Sequence, residues 1–140
     1  MGLKRDKEAT PAFETAIRLA PSNSAALNNL AWLMREVDLK KALEYAGRAT
    51  HEAPNNPLIT DTYAMLLLQD GNAARAVELL QGAKGKAPQV PVIGYHLAVA
   101  LVKQGELAKA RKELEEVLKE PRPFAEKTQA EALLKELKGS

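Results

Sequence analysis

Apolar side chains recur along this chain at intervals of three and four with charged residues between them, the spacing that draws a stripe down one face of a helix. The pattern is interrupted at regular places. Pro21, Pro54, Pro88 and Pro121 lie 33, 34 and 33 residues apart, and each closes an apolar-periodic segment such as Ala16-Ile17-Arg18-Leu19-Ala20 or Ala49-Thr50-His51-Glu52-Ala53. Proline cannot continue a helix, so each is a stop. Within each period a second break falls at Val37-Asp38, Asp70-Gly71-Asn72 and Gln104-Gly105-Glu106, where glycine, in two of the three, supplies a left-handed cap without steric cost. The breaks predict helices over about 23–36 and 39–52, 57–69 and 73–86, and 91–103 and 107–119. Asn56-Pro57 reads as an N-cap followed by proline in the first turn, where its missing donor costs nothing.

Small residues fall in the same register as the prolines. Leu30-Ala31, Tyr63-Ala64 and Leu97-Ala98 are equivalent in the first helix of each pair, and Ala42, Ala76 and Ala110 in the second. Alanine at such places lets two helices approach closely, so the expected unit is an antiparallel pair repeated three times, over 23–54, 57–88 and 91–121. Residues 4–20 match only the second helix of a preceding unit, with Ala9, Phe13 and Ala16 in the expected places. Pro11 would break that helix at a cost of roughly 3 kcal/mol, so it should be firm only from Pro11 onward. After Pro121-Arg122-Pro123, the stripe Ala130, Leu133, Leu134 and Leu137 predicts a capping helix within 123–138, ended by Gly139.

Composition supports an all-α fold without strands: aromatics are 4% while Ala, Leu, Glu and Lys dominate, side chains that lose little rotamer freedom in a helix. The net charge is only +2, with acids and bases interleaved, so no basic stripe exists to follow a phosphate backbone and nucleic acid is not an expected partner. No apolar run approaches the roughly 20 residues that span a bilayer, so no membrane insertion is expected in this segment. With no cysteine there is neither a disulfide nor a thiolate metal site.

The alternation of small and large residues through 23–121 resembles the tetratricopeptide-repeat (TPR) family. The resemblance implies a right-handed α-solenoid in which each pair packs on the next and the first helix of every pair lines a concave groove that holds a protein or peptide. Three aligned rungs would then face the groove: Asn28, Asp61 and Tyr95; Asn29, Thr62 and His96; Trp32, Met65 and Val99. Trp and Tyr are common binding hot spots, and Met adapts to varied partners; equally, Trp32 could fill the groove side of a tightly curved array, packed by Met65 and covered by Arg35. The basic carboxylate clamp of some TPR domains is missing, its positions being Asn28, Thr62, Val92 and His96. A neutral groove suits a mixed polar and apolar peptide. The blocks 26–33, 61–64 and 95–101, with Pro123-Phe124 and Ala132-Leu133-Leu134, further resemble the C-terminal part of bacterial TPR lipoproteins of exopolysaccharide export and PEP-CTERM protein sorting. That resemblance implies a periplasmic or cell-envelope protein; without it a cytoplasmic one is expected.

Nothing in the sequence calls for catalysis, a metal or a cofactor. His51-Glu52 lacks the second histidine of a zinc-protease helix and runs into Pro54, and Gly82 and Gly85 follow no strand, so they form no phosphate loop. These two glycines are expected to permit close helix contact, while Glu113, Glu115 and Glu116 are expected on a solvated face beside Lys109, Arg111, Lys112 and Lys119. The expected function is a non-enzymatic interaction scaffold. The alternative is a solenoid that oligomerises with its own copies through terminal helices exposing Phe13 and Ile17.

Overall fold

A computed structural model describes residues 11–12, 14–15, 17–20 and 22–139. Expectations for 4–10, Phe13, Ala16 and Pro21 lie outside the described residues. Helical residues between 11 and 19 are followed by α1 (Ser24–Met34), α2 (Leu39–Glu52), α3 (Pro57–Gln69), α4 (Ala73–Lys86), α5 (Pro91–Gln104), α6 (Leu107–Val117) and α7 (Lys127–Lys138), and no strand occurs among the described residues.

Local chemistry sets most helix starts. The first turn of a helix leaves backbone N–H groups without partners, and a short polar side chain just before it can accept from them. Asn23 accepts from Ala26, Asp38 from Lys41, Asn56 from Leu58 and Ile59, and Asn72 from Arg75. Pro57 and Pro91 occupy first turns, as their fixed φ favours. Two of the pairs turn on Gly71 at φ 90° and Gly105 at φ 85°, in the left-handed region. The first pair turns without glycine, because Val37 and Asp38 both donate to the Met34 carbonyl and close the bend with negative φ.

Several helix ends differ from expectation, among them that of α5, which runs one residue further, to Gln104. The first helix is shorter at both ends because Asn23 serves as its cap and 35–37 form the turn. The sixth stops at Val117, three residues before Glu120, whose conformation Pro121 restricts. The last begins at Lys127 rather than Phe124, since Phe124 lies in a turn whose carbonyl accepts from Lys127.

Packing follows the alanine seams. Ala31, Ala64 and Ala98 on the first helices, and Ala42, Ala76 and Ala110 on the second, are completely buried, so the backbones come close while leucines fill the space on either side. Within each pair α1 packs on α2, α3 on α4 and α5 on α6; α2 then packs on α3, α4 on α5 and α6 on α7. The result is a solenoid with a core running its length. Leu27, Leu30 and Leu66 fill one end, Leu80, Ile93 and Leu97 the middle, and Ala130 of α7 closes the other end against Ala98 and Leu114, with Leu133, Leu134 and Leu137 around it. The outward residues of α7, among them Gln129, Glu131, Lys135 and Glu136, are exposed and polar, as a capping helix requires.

Three expectations are corrected. Ile17 is 8% exposed and belongs to the first core cluster; among the described residues of that segment the exposed large apolar side chain is Leu19, at 82%. A Cβ on Gly82 or Gly85 would meet nothing within 4 Å, so neither permits a close approach; the glycine that does is Gly94, where a Cβ would stand 2.5 Å from Val117 Cγ2. Glu113 does not lie on a solvated face but is half-buried in a salt bridge to Lys84 of α4, a link between neighbouring pairs.

Candidate functional site

The first helices of successive pairs touch one another, α1 with α3 and α3 with α5, so they form one continuous face. Asn29 is exposed on α1, and Asn28 beside it is half-buried, its Oδ1 enclosed without a hydrogen-bond partner among the described residues. On α3, Asp61 is buried, while Thr62 and Met65 are half-buried and the Thr62 hydroxyl is spent on the Leu58 carbonyl of its own helix. Tyr95, His96 and Val99 are half-buried on α5.

The structure joins two of these groups directly. His96 Nδ1 lies 2.8 Å from one carboxylate oxygen of Asp61 and 3.0 Å from the other, tying α5 to α3. A carboxylate can only accept, so Nδ1 carries the proton and donates. The rings of Tyr95 and His96 stand 5.7 Å apart, tilted. Burial, and secondarily the nearby charge of Glu126, pushes the Tyr95 phenol above its ordinary range, because both disfavour the phenolate.

A second feature forms around Trp32, which is 42% exposed. The Arg35 guanidinium lies 4.1 Å from the centroid of the indole and its Nη1 donates to the Trp32 carbonyl at 2.6 Å. A cation over the indole face is attracted by the ring quadrupole and limits the ring's rotation. Gln69 then donates across the repeat boundary to the Arg35 carbonyl at 2.8 Å, satisfying one of the orphaned acceptors at the end of α1. Trp32, Arg35, Glu36, Met65, Leu68, Gln69 and Lys103 line an open cleft here. Of the third rung, Trp32 and Met65 share this cleft, whereas Val99 does not line it.

Leu68, Gln69 and Lys103 were not singled out from the sequence. The signal for them was present: Glu36, Gln69 and Lys103 stand in the same register, one helical turn beyond Trp32, Met65 and Val99. His51 is exposed in the last turn of α2, and the described residues hold no cluster of three His, Cys, Asp or Glu able to hold a metal.

Antiparallel helix pairs stacked in register, with the first helices sharing a face, define a helical-repeat solenoid. The chain belongs to the tetratricopeptide-repeat family: two family models described as tetratricopeptide repeat match it, one over residues 7–57 and the other over residues 67–137. Among solved structures it is similar to MamA of Desulfovibrio magneticus RS-1, at 16% identity with a TM-score of 0.80, covering 94% of this chain and 73% of that one. It is similar to a mutant of Thermobaculum terrenum O-GlcNAc transferase at 21% identity and a TM-score of 0.74, covering 84% of this chain and 25% of that one. It is also similar to the first TPR of Spaghetti bound to the HSP90 peptide SRMEEVD, at 18% identity and a TM-score of 0.73, covering 83% of this chain and 90% of that one. At these identities the likeness establishes the fold. No curated protein matches the chain.

Proposed function

We propose that this protein is a non-enzymatic scaffold that holds a peptide or protein segment along the face formed by α1, α3 and α5. The observation that carries the reading is Trp32: a large aromatic left 42% exposed, with the Arg35 guanidinium over its ring. An exposed, pre-ordered indole beside Met65 offers much apolar area at little entropic cost on binding. Peptide binding by the first TPR of Spaghetti is consistent with this use of the fold. Short randomised peptides selected on the immobilised chain supply a ligand for the test. Trp32→Ala is expected to weaken the selected peptides by about tenfold or more with far-UV circular dichroism unchanged. Unchanged affinity would remove the groove from the function.

The finer reading places the scaffold in a bacterial envelope system for polysaccharide export or protein sorting. Its support is the resemblance carried by the blocks 26–33, 61–64 and 95–101. A parent gene standing apart from polysaccharide-export and sorting genes would count against it. No helix among the described residues is long and apolar enough to cross a membrane.

Self-assembly through the terminal helices is a second reading, favoured by one observation. Leu19 is 82% exposed, whereas the residues two places before the later prolines are Glu52, Lys86 and Lys119. An apolar residue where the other repeats carry charge suits a covered surface. Light scattering across concentration tests it: a strictly monomeric particle, identical for the native chain and Leu19→Glu, excludes this association.

A further inference from the structure

The Asp61–His96 pair lies on the proposed binding face, and its chemistry is unbalanced. Asp61 is 8% exposed, and the ionisable group its carboxylate meets among the described residues is the His96 imidazole; no described lysine or arginine reaches ion-pair distance of it. With Nδ1 donating to Asp61, Nε2 has no hydrogen-bond partner among the described residues. One repeat back, at the position equivalent to Asp61, Asn28 Oδ1 is enclosed and unpartnered. The Thr62 hydroxyl, which could have donated here, is spent on its own helix. A poorly solvated carboxylate on this stretch therefore has an imidazole beside it but no described lysine or arginine. Such a carboxylate gains most from a charged donor, because charge-assisted hydrogen bonds are roughly twice as strong as neutral ones. The groove's own cations stand elsewhere: Lys103 lines the Trp32 cleft, and Arg35 is engaged with the Trp32 ring and carbonyl.

We infer that the groove selects a segment that sets a lysine or arginine against the Asp61–His96 pair and an apolar side chain against Trp32 and Met65. This rests on the groove reading and adds the chemistry of the occupant. The spacing of the two anchors follows from the helix. Asp61 and Met65 are four apart on α3, hence about 5–6 Å between Cβ atoms. An extended peptide advances about 3.3 Å per residue and turns alternate side chains to the same side. The basic and apolar anchors are therefore two positions apart in the ligand. The preference is the reverse of a basic clamp that grips an acidic tail.

The test is to select the randomised peptides on four chains: native, Asp61→Asn, Asn29→Lys and Trp32→Ala. Asp61→Asn keeps the shape and an acceptor for His96 while removing the charge. Asn29→Lys changes an exposed residue in the register of Thr62 and His96, adding a cation without touching the Asp61–His96 bond. On the native chain, peptides with lysine or arginine two positions from an apolar residue are expected to be enriched about five- to tenfold over those with glutamine or glutamate there. Both charge variants are expected to lose this enrichment while keeping the apolar preference; Trp32→Ala should do the opposite. Basic enrichment that is equal on native, Asp61→Asn and Asn29→Lys chains overturns the inference, as does enrichment of acidic residues. In either case an apolar preference still lost in Trp32→Ala leaves the groove reading standing. Selection of no sequence by the native chain overturns both.

Discussion

The glycines offer a direct test of where backbones approach closely. Gly82, Gly85 and Gly94 all lie inside helices, and intrinsic propensity treats them alike: replacing each with alanine should favour the helix by about 0.5–1 kcal/mol. The structure separates them. Around Gly82 and Gly85 a new Cβ meets nothing within 4 Å, so the propensity gain is expected in full at Gly82. It should be smaller at Gly85, which is one residue from the end of α4. At Gly94 a Cβ would stand 2.5 Å from Val117 Cγ2, well inside contact distance, on a β-branched side chain with little rotamer freedom in α6. Either Val117 leaves its rotamer or α5 and α6 separate, and overpacking of this kind costs about 1–3 kcal/mol. The propensity gain offsets part of this, so Gly94→Ala is expected to destabilise by about 1 kcal/mol. Gly82→Ala is expected to stabilise by nearly as much. For a chain of this length 1 kcal/mol moves Tm by about 3–4 °C, so the two variants should part by about 6 °C or more. Urea unfolding followed by far-UV circular dichroism gives the same comparison through the midpoint at constant slope. A Gly94→Ala chain as stable as Gly82→Ala would mean that α5 and α6 leave room for a methyl group between Gly94 and Val117.

Leu30→Ala, at a side chain with no exposure in the first core cluster, should cost about 3 kcal/mol in urea unfolding, since a buried leucine leaves a cavity as well as losing its transfer energy. A double-mutant cycle on Lys84 and Glu113 should give a coupling of about 0.5–1 kcal/mol that shrinks with added salt, and a coupling indistinguishable from zero would deny the α4–α6 bridge any stabilising role. The Tyr95 phenol, raised by burial and then by Glu126, should ionise above the ordinary tyrosine range in an ultraviolet titration. Because its folded pKa exceeds the unfolded one, the neutral phenol contributes stability that is fully present below the unfolded value and is lost as pH rises through the folded value. Tyr95→Phe should flatten that alkaline decline, and a decline unchanged in Tyr95→Phe would assign it to another group.

Much of this architecture is legible in the sequence, for a local reason. Helix starts and stops depend on neighbours in the chain: Asn56 before Pro57, Gly71 and Gly105 at turns, and a proline at the end of each unit act over a few residues. The α2, α3 and α4 boundaries follow from these signals alone, and the buried alanines follow from their register with the prolines. The boundaries of α6 and α7 slipped where Pro121 and Pro123 compete over a short stretch, so that the turn through Phe124 displaced the start of the last helix.

What the tertiary structure decided concerns residues about 30 places apart. That Asp61 meets His96, that Lys84 meets Glu113 and that Gln69 reaches the Arg35 carbonyl depend on how far each helix pair rotates against the next. That rotation is the sum of many side-chain volumes at the seams, and no local pattern encodes it. The same cause explains why Gly94 is crowded while Gly82 and Gly85 are open, and why Ile17 is buried while Leu19 faces water. Local patterns of caps, glycines, prolines and alanines encode the helices and their pairing; inter-repeat packing sets which side chains of α1, α3 and α5 are tied to one another and which stay open to solvent.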